Sequence, residues 1–173
     1  MGPGSPLQKR FPLLFLGTAI LLMGGYYVLP QAIIENVIVR FFAVVSGAWL
    51  LDLITPELPV SASGTRIVSP LVNLNVLKGC EGTETLLLLY AAIVASVRRW
   101  TLTLTGLMLG TVLVFLLNQL RILVLFFVAG YQGDWFELVH GFLAPLLILG
   151  AVVIFFIIWS RWEGAGSGEL RDE

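Results

Sequence analysis

The sequence predicts an all-α integral membrane protein with about four transmembrane helices, and three observations support this fold class. Of the 173 residues, 58% are hydrophobic and 12% are charged, whereas charged residues make up about 25% of an ordinary soluble domain. The mean hydropathy is +0.95. Several apolar runs approach the length of about 20 residues that crosses a hydrocarbon core of about 30 Å. A soluble domain of this size could not bury so much apolar surface, so we expect membrane lipid to surround it.

Charge and cysteine content exclude several other classes. The net charge is -1 and the chain has a single cysteine. These values argue against a disordered chain, against a protein that binds nucleic acid through a basic patch, and against a secreted domain held by disulfides.

The N-terminal part of the chain contains the first predicted span. Residues 1–5 resemble a cloning remnant, and we expect residues 1–10 to form an N-terminal tag and cytoplasmic segment. Residues 11–29 carry no charge over 19 positions. Tyr26, Tyr27 and Pro30 are typical of the interfacial end of such a span.

Residues 32–54 are interrupted by Glu35, Arg40 and Asp52, which favours an amphipathic or re-entrant helix on the outer face over a span. Prolines and small residues at 56–64 then end the helix. Residues 65–77 are rich in β-branched side chains, so we expect a short extracytoplasmic β-hairpin just before Cys80. The apolar stripe predicted on the helix consists of Ile34, Val37, Ile38, Phe41, Phe42 and Val45.

Three further spans are predicted at residues 83–97, 102–129 and 136–159. Asp134 and Glu137 have the spacing of a capping box before the last span. We expect one transmembrane domain over residues 11–160 and a mobile cytoplasmic tail over residues 161–173.

Basic residues predict the orientation, because Lys and Arg concentrate on the cytoplasmic side. Arg98, Arg99 and Arg161 are therefore placed inside, which fits four spans with a cytoplasmic N-terminus. Five spans with the N-terminus outside are the alternative.

Two packing features are predicted from small and aromatic residues. Gly106 and Gly110 form a small-xxx-small pair that favours close helix packing. Tryptophans near the span ends, Trp159 among them, are typical of membrane-interface anchors.

Three polar residues are predicted to lie at one depth. At a rise of about 1.5 Å per residue, Cys80 lies about 27 Å before Arg98 if its helix extends that far back. Arg121 lies about 31 Å after Trp100, and His140 about 31 Å before Arg161. Each distance reaches the outer boundary of a core about 30 Å thick.

Each of these residues also has a structural interpretation. Cys80 could be a small apolar filler, although glycines flank it in a turn before a helix. Arg121 could snorkel to the interface, or face the interior of the bundle beside Asn118. His140 could be an interfacial histidine, or a general base oriented by Glu137. One cysteine and one histidine fall short of a zinc site, so neither a metal nor another cofactor is expected.

Three motifs together resemble the exosortase/archaeosortase family. They are Cys80-Glu81-Gly82 ahead of a span, Asn118-Gln119-Leu120-Arg121-Ile122 in the next, and His140-Gly141 opening the last. The resemblance covers about residues 40–160 and is greatest to the compact exosortase H branch. Glu81 departs from the serine common at that position in larger members.

The resemblance implies a sortase-like membrane cysteine transpeptidase or protease, a hydrolase of sorting signals. Its substrates would be exported proteins with a C-terminal motif, a transmembrane helix and a basic cluster. Cys80 would be the nucleophile, His140 the base and Arg121 the oxyanion partner, with Asn118, Gly82 and Glu137 in support. The acceptor would be a glycolipid or polysaccharide.

The implied location is the cytoplasmic (inner) membrane of a bacterium, with the active site on the extracytoplasmic face. A non-enzymatic membrane assembly or transport component is the alternative, in which Arg121 only stabilises packing. A lipid-linked transferase is a third hypothesis, in which Arg121 holds a phosphate.

Overall fold

The structure, a computed structural model, describes residues 6–96 and 99–166, and these residues are mostly helical. They form five helical stretches and one small sheet. The helices are α1 (Pro6–Val28), α2 (Gln31–Ile54), α3 (Thr83–Ala95), α4 (Trp100–Tyr131) and α5 (residues 133–166). The strands are β1 (Ser61–Ser63), β2 (Arg66–Val68) and β3 (Asn73–Asn75).

Four of the described helices are long and apolar enough to cross a membrane, namely α1, α2, α4 and α5. This confirms the predicted fold class of a helical membrane protein with about four spans. The set of candidate spans differs from the predicted set, because α2 has 24 residues and qualifies as a candidate span by length and composition. In contrast, α3 has 13 residues and rises only about 20 Å, short of a core of about 30 Å. The span predicted at residues 83–97 is therefore a shorter helix in its described part.

Helix α2 is widened over Ile34–Val45, where backbone hydrogen bonds follow the i→i+5 pattern of a π-helix. Burial has the same five-residue spacing, since Ile34, Val39 and Val44 are all fully buried. The predicted apolar stripe assumed an α-helical period; Ile34 is its one buried member, and contact of the exposed members with membrane lipid stays a prediction. Its exposed members are Val37, Phe41, Phe42 and Val45.

The small sheet contains the predicted hairpin and one additional strand. Its antiparallel order is β1-β2-β3, with Ile67 opposite Leu74 in the hairpin formed by β2 and β3. Strand β1 lies in the segment that was expected only to end a helix. Gly64 has a φ of 59°, which allows the two-residue turn between β1 and β2. Ile67 and Leu74 are buried, so the sheet has one apolar face.

Backbone contacts divide the chain into two compact units. One takes in the described residues of Met1–Val28, Glu84–Leu113 and Gly150–Glu173. The other takes in Leu29–Thr83 and Val114–Leu149. The single domain over residues 11–160 stays a prediction.

In the first of these units, glycines on α4 allow close packing. A Cβ built on Gly106 would lie 2.6 Å from the ring of Trp159, and one built on Gly110 would lie 2.7 Å from Leu89. The small-xxx-small pair therefore contacts two different helices, α5 and α3. Trp159 is only 3% exposed, so its side chain packs within the protein and the predicted interface anchor was wrong.

In the other unit, a polar contact joins α2 to α4. The side-chain Nε2 of Gln119 donates a hydrogen bond of 2.7 Å to the carbonyl of Phe42, within the widened part of α2. Gly47 allows the two helices to approach, because a Cβ there would lie 3.0 Å from Ile122. These contacts position α2 against the part of α4 that carries Asn118 and Arg121.

Helix α5 begins with a 3-10 turn at Gly133–Trp135, and no side chain caps this turn or the α-helical residues that follow. The predicted capping box was wrong, because Asp134 lies inside the first turn and not ahead of it. Arg98, residues 1–5 and the tail from residue 167 lie outside the described residues.

Candidate active site

Cys80 lies in a glycine-flanked turn between β3 and α3. Gly79 and Gly82 have φ angles of 92° and 79°, a region that other residues rarely adopt. The backbone N–H of Cys80 donates to the carbonyl of Leu77 at 3.0 Å. The N–H of Gly79 donates to Oε2 of Glu81 at 2.6 Å, and Glu81 is itself buried. The turn thus fixes the backbone on both sides of a half-buried thiol.

Arg121 reaches this thiol from α4. Its Nη2 lies 4.0 Å from Sγ of Cys80 and donates a hydrogen bond of 3.2 Å to the backbone carbonyl of His140. The guanidinium Nε is buried and has no hydrogen-bond partner. A buried donor without a partner is costly, so Nε of Arg121 has a hydrogen-bonding capacity that the protein does not use.

His140 approaches the same sulfur from α5. Its Nε2 lies 3.7 Å from Sγ of Cys80, and its ring stacks on Phe136 with centroids 5.3 Å apart and planes at 6°. The residue lies in a second π-helical segment, Val139–Leu143. Such widened turns are frequent at functional sites, because they redirect a side chain without ending the helix.

These three side chains form an arrangement suited to nucleophilic chemistry. A neutral imidazole with its proton on Nδ1 can accept the thiol proton at Nε2, and a cation beside the sulfur favours the nucleophilic thiolate. Within residues 6–96 and 99–166, no three His, Cys, Asp or Glu side chains are grouped to hold a metal ion.

The supporting residues lie in different surroundings. Asn118 is 1% exposed, and neither polar atom of its side chain has a hydrogen-bond partner. It packs under the turn, since a Cβ on Gly82 would lie 3.4 Å from its side chain. Glu137 is exposed, and Nδ1 of His140 is buried without a hydrogen-bond partner. The expected hydrogen bond between Glu137 and His140 is therefore absent, and a supporting role for Glu137 stays a prediction.

A small cavity of about 20 Å³ lies beside the thiol. Cys80, Arg121 and His140 contribute to its wall, and the remaining lining residues are Leu74, Asn75, Val76, Ile122, Leu125 and Phe136. A water molecule needs about 10–15 Å³, so the cavity accepts one small group such as a carbonyl oxygen.

The structure brings together the three residues that helical rise placed at one depth. It does so although α3 starts at Thr83, so that Cys80 lies in a turn and not on a helix reaching back from Arg98. Sequence reasoning missed Phe136 and the lining residues from β3. The spacing of four residues could have indicated that Phe136 lies beside His140 on one helix face. No local sequence pattern indicated that residues of β3 line the cavity.

The fold and this cluster together define a class, that of multi-pass membrane proteins with a cysteine, a histidine and an arginine at one site. The family follows from comparison with known proteins. The chain belongs to the transmembrane exosortase family, because the family model described as Transmembrane exosortase (Exosortase_EpsH) matches residues 1–165.

Membership in this family implies a membrane transpeptidase, generally a cysteine enzyme, that processes protein sorting signals. Sorting-signal proteins are accordingly the implied substrates. Comparisons with curated proteins and with solved structures gave no match.

Proposed function

We propose that this chain cleaves C-terminal sorting signals through a thioester on Cys80 and transfers the cleaved protein to an acceptor in the cell envelope. The observation that carries the proposal is the pair of distances to one sulfur, 3.7 Å from Nε2 of His140 and 4.0 Å from Nη2 of Arg121. Both are contact distances that can shorten when a substrate closes the site.

The proposed reaction has two steps. His140 accepts the thiol proton, Cys80 attacks the scissile carbonyl, and the proton passes to the leaving amine as the thioester forms. An amine or hydroxyl of the acceptor then attacks the thioester, His140 accepts its proton, and the thiolate of Cys80 leaves. Water in place of the acceptor gives simple proteolysis.

Arg121 is proposed to stabilise the oxyanion of both tetrahedral intermediates. Its unused Nε donor and its nearness to the sulfur support this role. Removing one such donor typically reduces kcat about 10²–10³-fold. Gly82 and Asn118 are proposed to position the turn, because they contact each other below Cys80.

The proposed substrates carry a recognition motif, one transmembrane helix and a basic cluster at the C-terminus. We place the protein in the cytoplasmic membrane of a bacterium, with the site facing the extracytoplasmic side, and a glycolipid or polysaccharide as the acceptor. The exposed apolar faces of the candidate spans suit contact with membrane lipid.

Co-expression tests the reaction. Candidate proteins with such a C-terminus are produced with the wild type, with Cys80→Ala or with Arg121→Lys, and their C-termini are analysed by mass spectrometry. We expect a new C-terminus with the wild type, none with Cys80→Ala, and a reduced yield with Arg121→Lys. Exposed Arg66 on β2 offers a matched control, because Arg66→Lys changes the same residue type outside the cavity lining. Full processing by Cys80→Ala would favour the non-enzymatic alternative.

Thiol labelling tests the orientation. Cys80 is the single cysteine of the sequence, so a membrane-impermeant maleimide reports only this position, and Cys80→Ala is the blank. Labelling of intact spheroplasts is the expected result. Labelling only of inside-out vesicles would contradict the extracytoplasmic site.

A further inference from the structure

The strand β3 has one edge that pairs with β2 and, in the part of the chain that the structure describes, one edge that no other strand covers. In the antiparallel ladder, Ile67 lies opposite Leu74, and the N–H of Val76 donates to the carbonyl of Thr65 at 2.9 Å. Backbone groups of successive residues alternate between the two edges of a strand. Leu74 and Val76 therefore face β2, and Asn73 and Asn75 turn their backbone N–H and C=O groups to the uncovered edge.

This edge adjoins the cavity at the thiol. Leu74, Asn75 and Val76 are consecutive in the chain, and all three contribute to the cavity wall together with Cys80 and Arg121. Asn75 is exposed, and its side-chain Oδ1 accepts a hydrogen bond of 3.1 Å from Oγ1 of Thr65. A peptide placed along the edge would thus pass directly beside the sulfur.

The size of the cavity limits what can enter it. About 20 Å³ accommodates one water-sized group and no side chain of any length. The carbonyl oxygen of a scissile bond fits this space, whereas the side chains on either side of that bond fit better outside it. An extended backbone meets this condition, because its carbonyls project sideways while its side chains point above and below the strand.

We propose that the recognition segment of the substrate binds as an added strand on the uncovered edge of β3. The inference rests on the proposed function and deepens it by naming how the peptide is held. The backbone N–H and C=O of Asn75 pair with the peptide, which places the next carbonyl in the cavity at Cys80. Strand addition of this kind takes its affinity from backbone hydrogen bonds and its specificity from alternate side chains.

A proline substitution tests the edge. Asn75→Pro removes the outward N–H and places a ring in the path of the peptide, while the ladder to β2 loses no donor. Asn75→Ala keeps the N–H and removes the side chain together with the hydrogen bond that its Oδ1 accepts from Oγ1 of Thr65. Ala62→Pro on β1 is the matched control. In the register of β1 with β2, Ser61 and Ser63 turn their backbone N–H and C=O groups to β2. Those of Ala62 therefore point to the opposite edge of the sheet.

The readout is the yield of the new C-terminus in co-expressed candidate proteins. We expect a loss of about tenfold or more with Asn75→Pro, a smaller loss with Asn75→Ala, and at most a few-fold change with Ala62→Pro. Equal processing by Asn75→Pro and the wild type would overturn the inference alone. No product from the wild type with any candidate would overturn the proposed function and the inference with it.

A second measurement does not depend on the folding of the variant. Proline is placed in turn at each residue flanking the cleavage site of the candidate that the wild type processes. An added strand pairs through every second residue, so processing should fall at alternate positions. A uniform loss, or none, would overturn the inference. A change from dimer to monomer in the mass of detergent-solubilised Asn75→Pro would also overturn it, because the edge would then pair with a second copy of the chain.

Discussion

Replacing Gly106 with alanine isolates the close packing of α4 against Trp159. The added Cβ would lie 2.6 Å from both Cε2 and Nε1 of the indole and 2.9 Å from Cζ2. Trp159 is 3% exposed, so the ring has little free space to move into. Adding a methyl group to a filled site costs about 1–3 kcal/mol. Against this, alanine in a helix interior is more stable than glycine by roughly 0.5–1 kcal/mol.

Gly150→Ala on α5 is the matched control. A Cβ on Gly150 would meet nothing within 4 Å, so this variant has the same gain in helix propensity without the clash. The free energy of unfolding of Gly106→Ala should therefore lie about 1–3 kcal/mol below that of Gly150→Ala.

The assay is unfolding by SDS in mixed micelles, followed by far-UV circular dichroism, with both variants purified in the same detergent. The difference between the two variants cancels the propensity term and reports the clash alone. Unfolding free energies that agree within about 0.5 kcal/mol would refute the packing argument, because changes at open surface positions are of that size.

Three further predictions concern buried polar contacts and the turn. Gln119→Ala removes the donor to the Phe42 carbonyl and should lower the unfolding free energy by about 1–3 kcal/mol in the same titration. Gly82→Ala forces a side chain to a φ of 79°, which should cost about 1–2 kcal/mol and change the rate of maleimide labelling at the adjacent thiol. Tyr90→Phe removes the 2.6 Å hydrogen bond to Oγ1 of Thr111 and should cost about 0.5–1.5 kcal/mol, whereas unchanged stability would show that the hydroxyl is solvated in both states.

The sequence was sufficient where one physical quantity dominates. Long apolar runs predict candidate spans, because the bilayer thickness fixes their length. The constant rise per residue of a helix predicted Cys80, Arg121 and His140 at one depth in the membrane. In the structure, the side chains of Arg121 and His140 both contact Sγ of Cys80. Their catalytic roles stay a prediction.

The sequence was insufficient where long-range packing decides. Charges in α2 favoured an interfacial helix, whereas its length and composition also qualify it as a candidate span, so its placement in the membrane stays a prediction. The widening of α2 moved the buried face to Ile34, Val39 and Val44, which no α-helical period predicts. Trp159 fills the space left by Gly106, a pairing between positions distant in the chain.

The central claim is that Cys80 carries the substrate as a thioester, and hydroxylamine tests it most directly. Hydroxylamine attacks a thioester and leaves a hydroxamate on the released carbonyl. Membranes containing the enzyme and the uncleaved form of a candidate that the wild type processes are treated with it, and the new C-terminus is analysed by mass spectrometry. We predict a C-terminal hydroxamate with the wild type and none with Cys80→Ala. Cleavage at the same bond by Cys80→Ala, with or without hydroxylamine, would contradict the account.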